Sequence, residues 1–251
     1  MTDGSDDSNW YARYYGEDYA ASVASALTAE RSAAEVAFIL GETGARPPAL
    51  VADVACGHGR HANIFAARGF DVTGVDQNAA YLERARAETP PGASARYVQG
   101  DMREAVGGPY ALVLSLFHSF GFFSDKDNRR MLQSWAGALA PGGFLALDVW
   151  NRDALLRRNT PGRAWQAAPD LSVDEHYAYD ALSGRSTIHY TYTYGDGRRQ
   201  EYEASFRLYT PAELRVLFAE AGLTVTALYG SLTGDAYTLD APRTVLFGRR
   251  T

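Results

Sequence analysis

Apolar segments of six to eight residues alternate with amphipathic segments through the first 150 residues of the chain. The apolar segments predict β-strands at 50–55, 71–76, 95–100, 110–117 and 143–150. The amphipathic segments predict helices at 60–68, 78–88 and 127–139, and an alanine-rich segment predicts a further helix at 17–40. Because strands that alternate with helices over short connections pair in parallel, the pattern predicts an α/β fold with a doubly wound, mostly parallel sheet.

The pattern changes in the last 40 or so residues. A helix is predicted at 211–221, followed by strands at 223–230 and 243–249. These two strands lie close enough in the chain to pair as an antiparallel hairpin.

An insertion of about residues 160 to 209 separates the alternating elements from this C-terminal part. Three segments in it alternate apolar or aromatic with polar side chains: Ser172–Tyr179, Ser186–Tyr194 and Gln200–Tyr209. With glycines at the turns, they predict a three-stranded antiparallel meander laid over the ligand-binding edge of the sheet. The predicted organisation is an N-terminal arm (1–16), a core (17–160), an inserted substrate cover (161–209) and the C-terminal part of the core (210–251).

Composition narrows the range of partners. The 251 residues carry a net charge of −6, whereas nucleic-acid binding needs clustered cationic side chains, so no nucleic-acid partner is expected. Neither a signal-peptide pattern nor a run of 18 apolar residues occurs, which predicts a cytoplasmic protein without a membrane partner. The single cysteine excludes an internal disulfide, and no spacing of His, Asp or Glu indicates a metal site. A homodimer is compatible with the sequence, which gives no oligomeric state.

One segment indicates the class of ligand. Residues 50–61 form an apolar strand that ends in Asp53 and continues into a glycine-rich turn. Its glycines also satisfy the dinucleotide fingerprint, with Asp76 near the position of a ribose-binding acid. A carboxylate at Asp53, however, would oppose a pyrophosphate at short range. S-adenosylmethionine (SAM) carries an ammonium and a sulfonium and no phosphate, so the acid favours SAM.

The run Asp53-Val-Ala-Cys-Gly-His-Gly-Arg-His61 resembles the first motif of the class I SAM-dependent methyltransferases. Later segments follow in the order of that family: Val72-Thr-Gly-Val-Asp76-Gln, Val98-Gln-Gly-Asp101-Met-Arg, Ala111–Phe117 and Leu139–Asp148. The resemblance is dense over residues 50 to 150. It implies a Rossmann-like, mostly parallel sheet of seven strands with an antiparallel C-terminal hairpin, and it implies SAM as the cofactor.

The resemblance also implies contacts to the amino-acid end of the cofactor. The glycine turn lets the backbone approach this end at Ala55, Cys56, Gly57 and Gly59. Asp53 is expected to bind the ammonium, although an acid that only caps its own turn stays an alternative. Leu116, at the end of the fourth strand, is expected near the methionine moiety.

Contacts to the nucleoside end are implied in the same way. Asp76, followed by Gln77, is expected to accept hydrogen bonds from both ribose hydroxyls. Asp101 is expected beside the adenine amino group, with Met102 packed against the ring. An ordinary turn aspartate at position 101 stays an alternative.

The segment Trp10–Tyr19 is rich in tyrosine. It resembles the lead-in of small-molecule methyltransferases that folds across the cofactor as a lid. Arg13, Tyr14 or Tyr15 is then expected to bind the SAM carboxylate, with Tyr14 also a catalytic candidate and Tyr15 a substrate contact. A hydrophobic staple that holds the following helix to the sheet is an equally good interpretation.

The segment Leu116–Phe123 resembles that of amino-sugar and other small-amine N-methyltransferases. His118 is the candidate general base, because the loop after the fourth strand faces the sulfonium in this fold; a structural histidine stays an alternative. Phe117 and Phe122 are expected substrate contacts, although Phe122 stands where the family can have His or Tyr, which puts the family's base assignment in doubt. The meander adds secondary candidates at His176, His189 and Tyr190.

Three functions are compatible with these motifs. The first is in-line methyl transfer to nitrogen or oxygen of a small organic acceptor, in specialised metabolism. The second keeps the SAM site but transfers or cyclises the aminocarboxypropyl arm and releases methylthioadenosine, because cofactor motifs report binding and not which carbon is attacked. The third is a non-enzymatic SAM- or NAD-binding module, whose NAD form is disfavoured by Asp53.

Overall fold

The computed structural model describes residues 10–104, 106–159 and 161–251. Residues 1–9 of the predicted N-terminal arm lie outside the described residues. The helices are α1 (Trp10–Tyr14), α2 (Glu17–Val23), α3 (Ala29–Thr43), α4 (Ala62–Ala67), α5 (Ala79–Ala87), α6 (Asp125–Gly137), α7 (Arg152–Asn159) and α8 (Pro211–Glu220). In the described part of the chain, no helix has the length and apolar character to span a membrane.

The main sheet has seven strands. They are β1 (Leu50–Val54), β2 (Asp71–Asp76), β3 (Ala95–Gln99), β4 (Tyr110–Ser115), β5 (Leu139–Trp150), β10 (Leu223–Tyr229) and β11 (Arg243–Arg250). Their spatial order is β10-β11-β5-β4-β1-β2-β3. The strands β1 to β5 pair in parallel, whereas β11 is antiparallel to both β5 and β10. The predicted doubly wound sheet with an antiparallel C-terminal hairpin is confirmed.

The inserted sheet, called the cover sheet below, has four strands and not the predicted three. They are β6 (Gly162–Ala168), β7 (Leu171–Asp180), β8 (Arg185–Tyr194) and β9 (Arg199–Arg207), paired antiparallel in that order. The additional strand β6 contains three alanines and no β-branched residue, so Trp165 is its one residue of high strand propensity and the sequence reveals it poorly. Pairing with β7, which places Trp165 opposite Val173, brings it into the sheet.

The predicted helix at 17–40 is interrupted. The helix α2 ends at Val23, a single 3-10 turn follows, and α3 begins at Ala29. The side-chain oxygen of Thr28 accepts a hydrogen bond from the Arg31 N–H and so caps the start of α3. Alanine content alone could not locate this boundary, because alanine favours helix at every position.

Buried apolar side chains form one cluster for each face of the main sheet. One cluster joins the sheet to α3, α4 and α5 through side chains such as Ile39, Phe65 and Leu82. The other joins it to α6, α8 and the cover sheet through side chains such as Trp135 and Phe218. The carboxyl ends of the parallel strands therefore open between two packed layers.

The cover sheet packs against the N-terminal helices. The ring of Trp10 lies 5.0 Å from that of Phe206, and the ring of Tyr14 lies 4.6 Å from that of Tyr190, centroid to centroid. On α2, the Asp18 carboxylate accepts a hydrogen bond of 2.6 Å from the Tyr202 hydroxyl. The N-terminal helices are thus held from outside by the cover sheet.

A buried ion pair joins β5 to β11. The Asp148 carboxylate is fully buried and accepts a bond of 2.7 Å from the Arg243 Nε and a second bond from the same guanidinium. The same carboxylate accepts a bond of 3.0 Å from the Phe117 N–H, and the Asp148 carbonyl accepts one of 3.0 Å from the His118 N–H. The pair therefore also holds the loop that follows β4.

Removing one partner of this pair should destabilise the fold strongly. We expect Arg243→Met to lower the free energy of unfolding by about 3–5 kcal/mol, because Asp148 keeps a buried, unpaired charge. Urea unfolding at neutral pH measures the change. The control is Arg249→Met on the same strand, whose guanidinium is exposed and bonds the Gly142 carbonyl at 3.3 Å; we expect it to cost less than about 0.5 kcal/mol. Equal losses for the two variants would show that the buried pair has no special role.

Candidate active site

A cavity of about 570 Å³ opens at the carboxyl ends of the parallel strands. Its floor is made by the turns that follow β1, β2, β3 and β4, and α1 and α2 close it from above. Many of the residues predicted from the sequence line it together: Tyr15, Asp53, Ala55, Cys56, Gly57, Asp76, Gln77, Asp101, Met102, Leu116, Phe117 and Phe122. Seven others do not: Arg13, Tyr14, Gly59, His118, His176, His189 and Tyr190.

Asp53 is a buried carboxylate with an unused acceptor. It lies near the end of the central strand β1, is only 2% exposed, and its Oδ2 has no hydrogen-bond partner in the described chain. Burial raises its pKa to about 7, although the positive charge of Arg60 acts in the opposite direction. A carboxylate in this state is suited to a cationic ligand that supplies the missing donor.

The glycine turn serves both the cavity and the packing behind it. Gly57 has a left-handed φ of +56° and lines the cavity, where an added Cβ would meet only one side-chain atom of Tyr81, at 4.0 Å. Gly59 was expected to contact the cofactor, but it lies behind the turn. There an added Cβ would lie 2.7 Å from the Tyr97 hydroxyl and 2.9 Å from the Ala85 Cβ, so this glycine is required by packing.

Asp76 ends β2 and accepts backbone hydrogen bonds at both oxygens. The Gly57 N–H donates to Oδ2 at 2.8 Å and the Asn78 N–H donates to Oδ1 at 2.9 Å. Burial raises its pKa despite these bonds. Each oxygen keeps a further lone pair, so that the carboxylate can still accept two hydroxyl donors from the cavity.

Asp101 is oriented by Arg103, a residue that the sequence reading did not assign. The Arg103 Nη2 lies 2.6 Å from the Asp101 Oδ2, and the Arg103 guanidinium carbon lies 4.3 Å from the centre of the Phe123 ring. Partial burial acts to raise the pKa of Asp101, but the hydrogen bonds from Arg103 outweigh it and the net shift is downward. Asp101 is therefore an ionised acceptor at the cavity wall, beside Met102.

The loop after β4 does not place His118 in the cavity. Phe117 and His118 both have left-handed φ angles, of 60° and 70°, which send their side chains in different directions. The Phe117 ring lines the cavity, whereas the His118 ring is buried and stacks on Trp150 with centroids 3.6 Å apart. Burial, assisted by the Arg243 charge, moves the pKa of His118 well below its usual range. The expected role as a general base is thus replaced by packing.

Aromatic side chains from the N-terminal helices and the β4–α6 loop form one wall of the cavity. We call Tyr11, Tyr15, Tyr19, Phe122 and Phe123 the aromatic wall; all five line the cavity. The rings of Tyr15 and Phe122 stack at 5.6 Å. Burial raises the pKa of both Tyr15 and Tyr19 above the usual value for a phenol, so they stay protonated at neutral pH.

Tyr14 and the meander candidates lie elsewhere. The Tyr14 ring packs against Tyr190 at the boundary between α1 and the cover sheet, and neither ring reaches the cavity. His176 and His189 face each other across β7 and β8 on the exposed side of the cover sheet. The alternation of a strand explains this, since Glu175 and Tyr177, on either side of His176, are the buried residues. The cover sheet therefore supports the N-terminal helices and does not itself line the cavity.

Two hydrogen bonds fasten the N-terminal helices over the cavity. The Asn78 Nδ2 donates to the Tyr15 carbonyl at 3.1 Å, and the Tyr81 hydroxyl donates to the Gly16 carbonyl at 3.0 Å. Both donors come from the start of α5, directly after Asp76. The segment expected as a lid or a staple is thus helical and is held by residues at the start of α5.

Arg60 is a cavity residue that the sequence reading passed over. It follows the glycine turn, lines the cavity and bonds Glu35 of α3 at 2.5 Å. Glu35 also bonds the His61 Nε2 at 2.7 Å. The available signal was a glutamate in the apolar stripe of α3, because a buried acid requires cationic partners.

The residues present fit SAM. The cavity offers an unsatisfied carboxylate at Asp53, a glycine turn with room beside it, and a carboxylate at Asp76 with free lone pairs. Asp53 would bind the ammonium, Asp76 the ribose hydroxyls and Asp101 the adenine amino group. Among the described residues, no group of three or more His, Cys, Asp or Glu side chains is arranged to hold a metal ion.

Comparisons with known proteins agree with this fit. Residues 51–143 match the family model described as a methyltransferase domain. The chain is 27% identical over 238 residues to the dTDP-3-amino-3,4,6-trideoxy-alpha-D-glucopyranose N,N-dimethyltransferase of Streptomyces venezuelae, covering 90% of this chain and 92% of that protein.

Solved structures share the fold. SAM-bound CalS10, an amino pentose methyltransferase from Micromonospora echinaspora, matches with a TM-score of 0.65 at 26% identity, over 86% of this chain and 90% of its own. The CcbJ methyltransferase from Streptomyces caelestis matches with a TM-score of 0.76 at 19% identity, over 87% of this chain and 89% of its own.

Because Asp53 is buried, its ionised carboxylate is expected to lower the free energy of unfolding. Because its pKa in the fold is raised to about 7, the folded state loses stability as the pH rises from 4 through 7. We expect Asp53→Asn to raise the free energy of unfolding at pH 8 by up to about 4 kcal/mol, and to have almost no effect at pH 4. Urea unfolding at the two pH values measures this. An equal effect at both would contradict the raised pKa.

Proposed function

The chain is a small-molecule methyltransferase of the class I SAM-dependent family, and from this premise we propose that it methylates the amine nitrogen of an amino sugar. The relative from Streptomyces venezuelae, which aligns over nearly the whole chain, is named for N,N-dimethylation of a nucleotide-linked amino sugar. CalS10 is named as an amino pentose methyltransferase. These names support the class of acceptor.

The aromatic wall is the observation that carries the choice of nitrogen. Two of its tyrosines, Tyr15 and Tyr19, keep their protons at neutral pH, since burial raises their pKa. His61 is bonded to Glu35, and His118 is outside the cavity. His58 lines the cavity beside Tyr81, but it belongs to the glycine turn and is not part of the aromatic wall. An alcohol needs a base to become a nucleophile, whereas an amine that arrives neutral attacks through its own lone pair.

The wall also suits the charge that develops on nitrogen. SAM supplies an electrophilic methyl group on its sulfonium. An amine that accepted this methyl group would gain positive charge as the carbon–sulfur bond broke and S-adenosylhomocysteine left, and the faces of the aromatic rings would stabilise that cation. The same rings exclude water from the reacting atoms. The bonds from Asn78 and Tyr81 keep Tyr15 in place, so that the wall is organised before the acceptor arrives.

The proposed acceptor is a free small molecule in the cytoplasm and not a nucleic acid. The net charge of −6 supports this, because a polyanion would be repelled. A single chain supplies every group that the proposal uses, so the proposal does not depend on whether a homodimer forms.

A panel of acceptors tests the choice of nitrogen. The protein is incubated with SAM and, separately, with nucleotide-linked amino sugars, free amino sugars, glycine and a phenol. Mass spectrometry then follows both the acceptor and the adenosine product. We expect S-adenosylhomocysteine together with a gain of one or two methyl groups on an amino sugar. Methylation of the phenol alone would overturn N-methylation, and release of methylthioadenosine would overturn methyl transfer.

Substitutions at Tyr15 separate its ring from its hydroxyl. We expect Tyr15→Phe to keep kcat/KM for the acceptor within about threefold, because the ring face remains. Tyr15→Ala should lower kcat/KM by about 10- to 100-fold through loss of the ring. Binding of S-adenosylhomocysteine by calorimetry confirms that each variant is folded. If Tyr15→Phe lost as much as Tyr15→Ala, the hydroxyl would take part in the reaction and the argument from protonated tyrosines would be wrong.

A further inference from the structure

The guanidinium of Arg60 is satisfied on one side only. Its Nη1 donates to the Glu35 Oε2 at 2.5 Å and to the Ser32 Oγ at 3.1 Å. Its Nη2 is buried and has no hydrogen-bond partner in the described chain. The Arg60 side chain is only 10% exposed. A buried cationic donor without an acceptor is costly, and the cost is removed when a ligand supplies an anion.

The residues around Arg60 leave its charge in excess. Glu35 also binds Arg31 through its other oxygen, at 2.9 Å. Its third partner, His61, is neutral at physiological pH, because burial lowers the pKa of this histidine to about 4. One carboxylate therefore faces two guanidinium groups. Of the two guanidinium groups, the one that lines the cavity and presents its charge there is Arg60.

Asp53 provides an unpaired acceptor, opposite in charge to Arg60, at the same cavity. Its Oδ2 is buried and unpaired, and Arg60 influences its carboxyl group electrostatically. Nevertheless, the two unpaired atoms do not bond each other. A donor and an acceptor of opposite charge that remain apart at one cavity match a ligand that carries both an anion and a cation. The α-amino-acid end of SAM is such a zwitterion.

We propose that Arg60 binds the α-carboxylate of the cofactor while Asp53 binds its ammonium. Arg60 then takes the role expected for Arg13, Tyr14 or Tyr15. The side chain of Arg13 is exposed, and neither Arg13 nor Tyr14 lines the cavity. The proposal rests on SAM binding and not on the identity of the acceptor.

The position of Arg60 is set before any ligand binds. Ser32 and Glu35 hold one edge of the guanidinium from α3, and the Phe117 ring lies 5.3 Å from its central carbon. Phe117 is in turn held by the Asp148 carboxylate. Because the planar guanidinium is fixed on these sides, little side-chain entropy is lost when a carboxylate binds.

Calorimetric titration with three ligands tests the assignment. SAM carries both the carboxylate and the ammonium, decarboxylated SAM keeps the ammonium alone, and methylthioadenosine lacks both. We expect Arg60→Gln to weaken the binding of SAM by about 10- to 100-fold and to leave the affinity for decarboxylated SAM within about threefold of the wild type. Asp53→Asn should weaken the binding of SAM and of decarboxylated SAM equally, and should leave the affinity for methylthioadenosine unchanged.

The matched control is Arg31→Gln. Arg31 is the other arginine on Glu35, but it does not line the cavity, so this variant should weaken SAM binding less than Arg60→Gln does and should leave the binding of the other two ligands within about threefold of the wild type. If Arg60→Gln does not fold, Arg60→Lys keeps the charge without the planar fork and should still weaken SAM more than decarboxylated SAM.

Two results would overturn the proposal. Equal weakening of SAM and decarboxylated SAM by Arg60→Gln would show that the residue only supports the cavity through Glu35. Unchanged SAM binding, with a raised KM for an acidic acceptor, would assign the guanidinium to the acceptor instead. Neither result depends on which acceptor panel succeeds, so the proposed function is tested separately.

Discussion

The carboxylate of Asp148 joins two strands, β5 and β11, to the loop after β4 that lines the cavity. It pairs with Arg243 from β11 and accepts a hydrogen bond from the backbone of the loop after β4. That loop contains two consecutive non-glycine residues with left-handed φ, each of which costs roughly 1–3 kcal/mol and persists only where the surroundings impose it. The ion pair thus supports the strained loop, and the strain sends Phe117 to the cavity and His118 to the interior.

The site itself is organised around charges that the protein does not satisfy internally. Asp53 and Arg60 each have a buried atom without a partner among the described residues, although they line the same cavity. Burial of this kind lowers the stability of the free protein, and a ligand of complementary charge recovers it. The arrangement is complementary in charge to the ammonium and carboxylate of the proposed ligand.

The cover sheet influences the site indirectly, through the helices and the loop that line the cavity. It packs its aromatic face on α1 and binds α2 through Asp18, and these helices supply the tyrosines of the aromatic wall. The Arg185 guanidinium on β8 also donates to the carbonyls of Phe122 and Phe123, at 3.0 and 2.8 Å. Changes in the cover sheet can therefore alter the aromatic wall, although the cover sheet itself does not line the cavity.

The sequence alone determined the order of strands and helices and the antiparallel hairpin. It also determined the acids at the ends of β1 and β2. Each of these features depends on local periodicity or on a short motif. The strand β6 and the interruption before α3 could not be predicted from the sequence. The strand forms through its pairing with β7, and the interruption has no distinctive composition. Only the tertiary structure could decide where the side chains of His118 and Arg60 point. Whether a side chain turns into a cavity or away from it depends on partners such as Asp148 and Glu35, which lie 30 and 25 residues away in the chain.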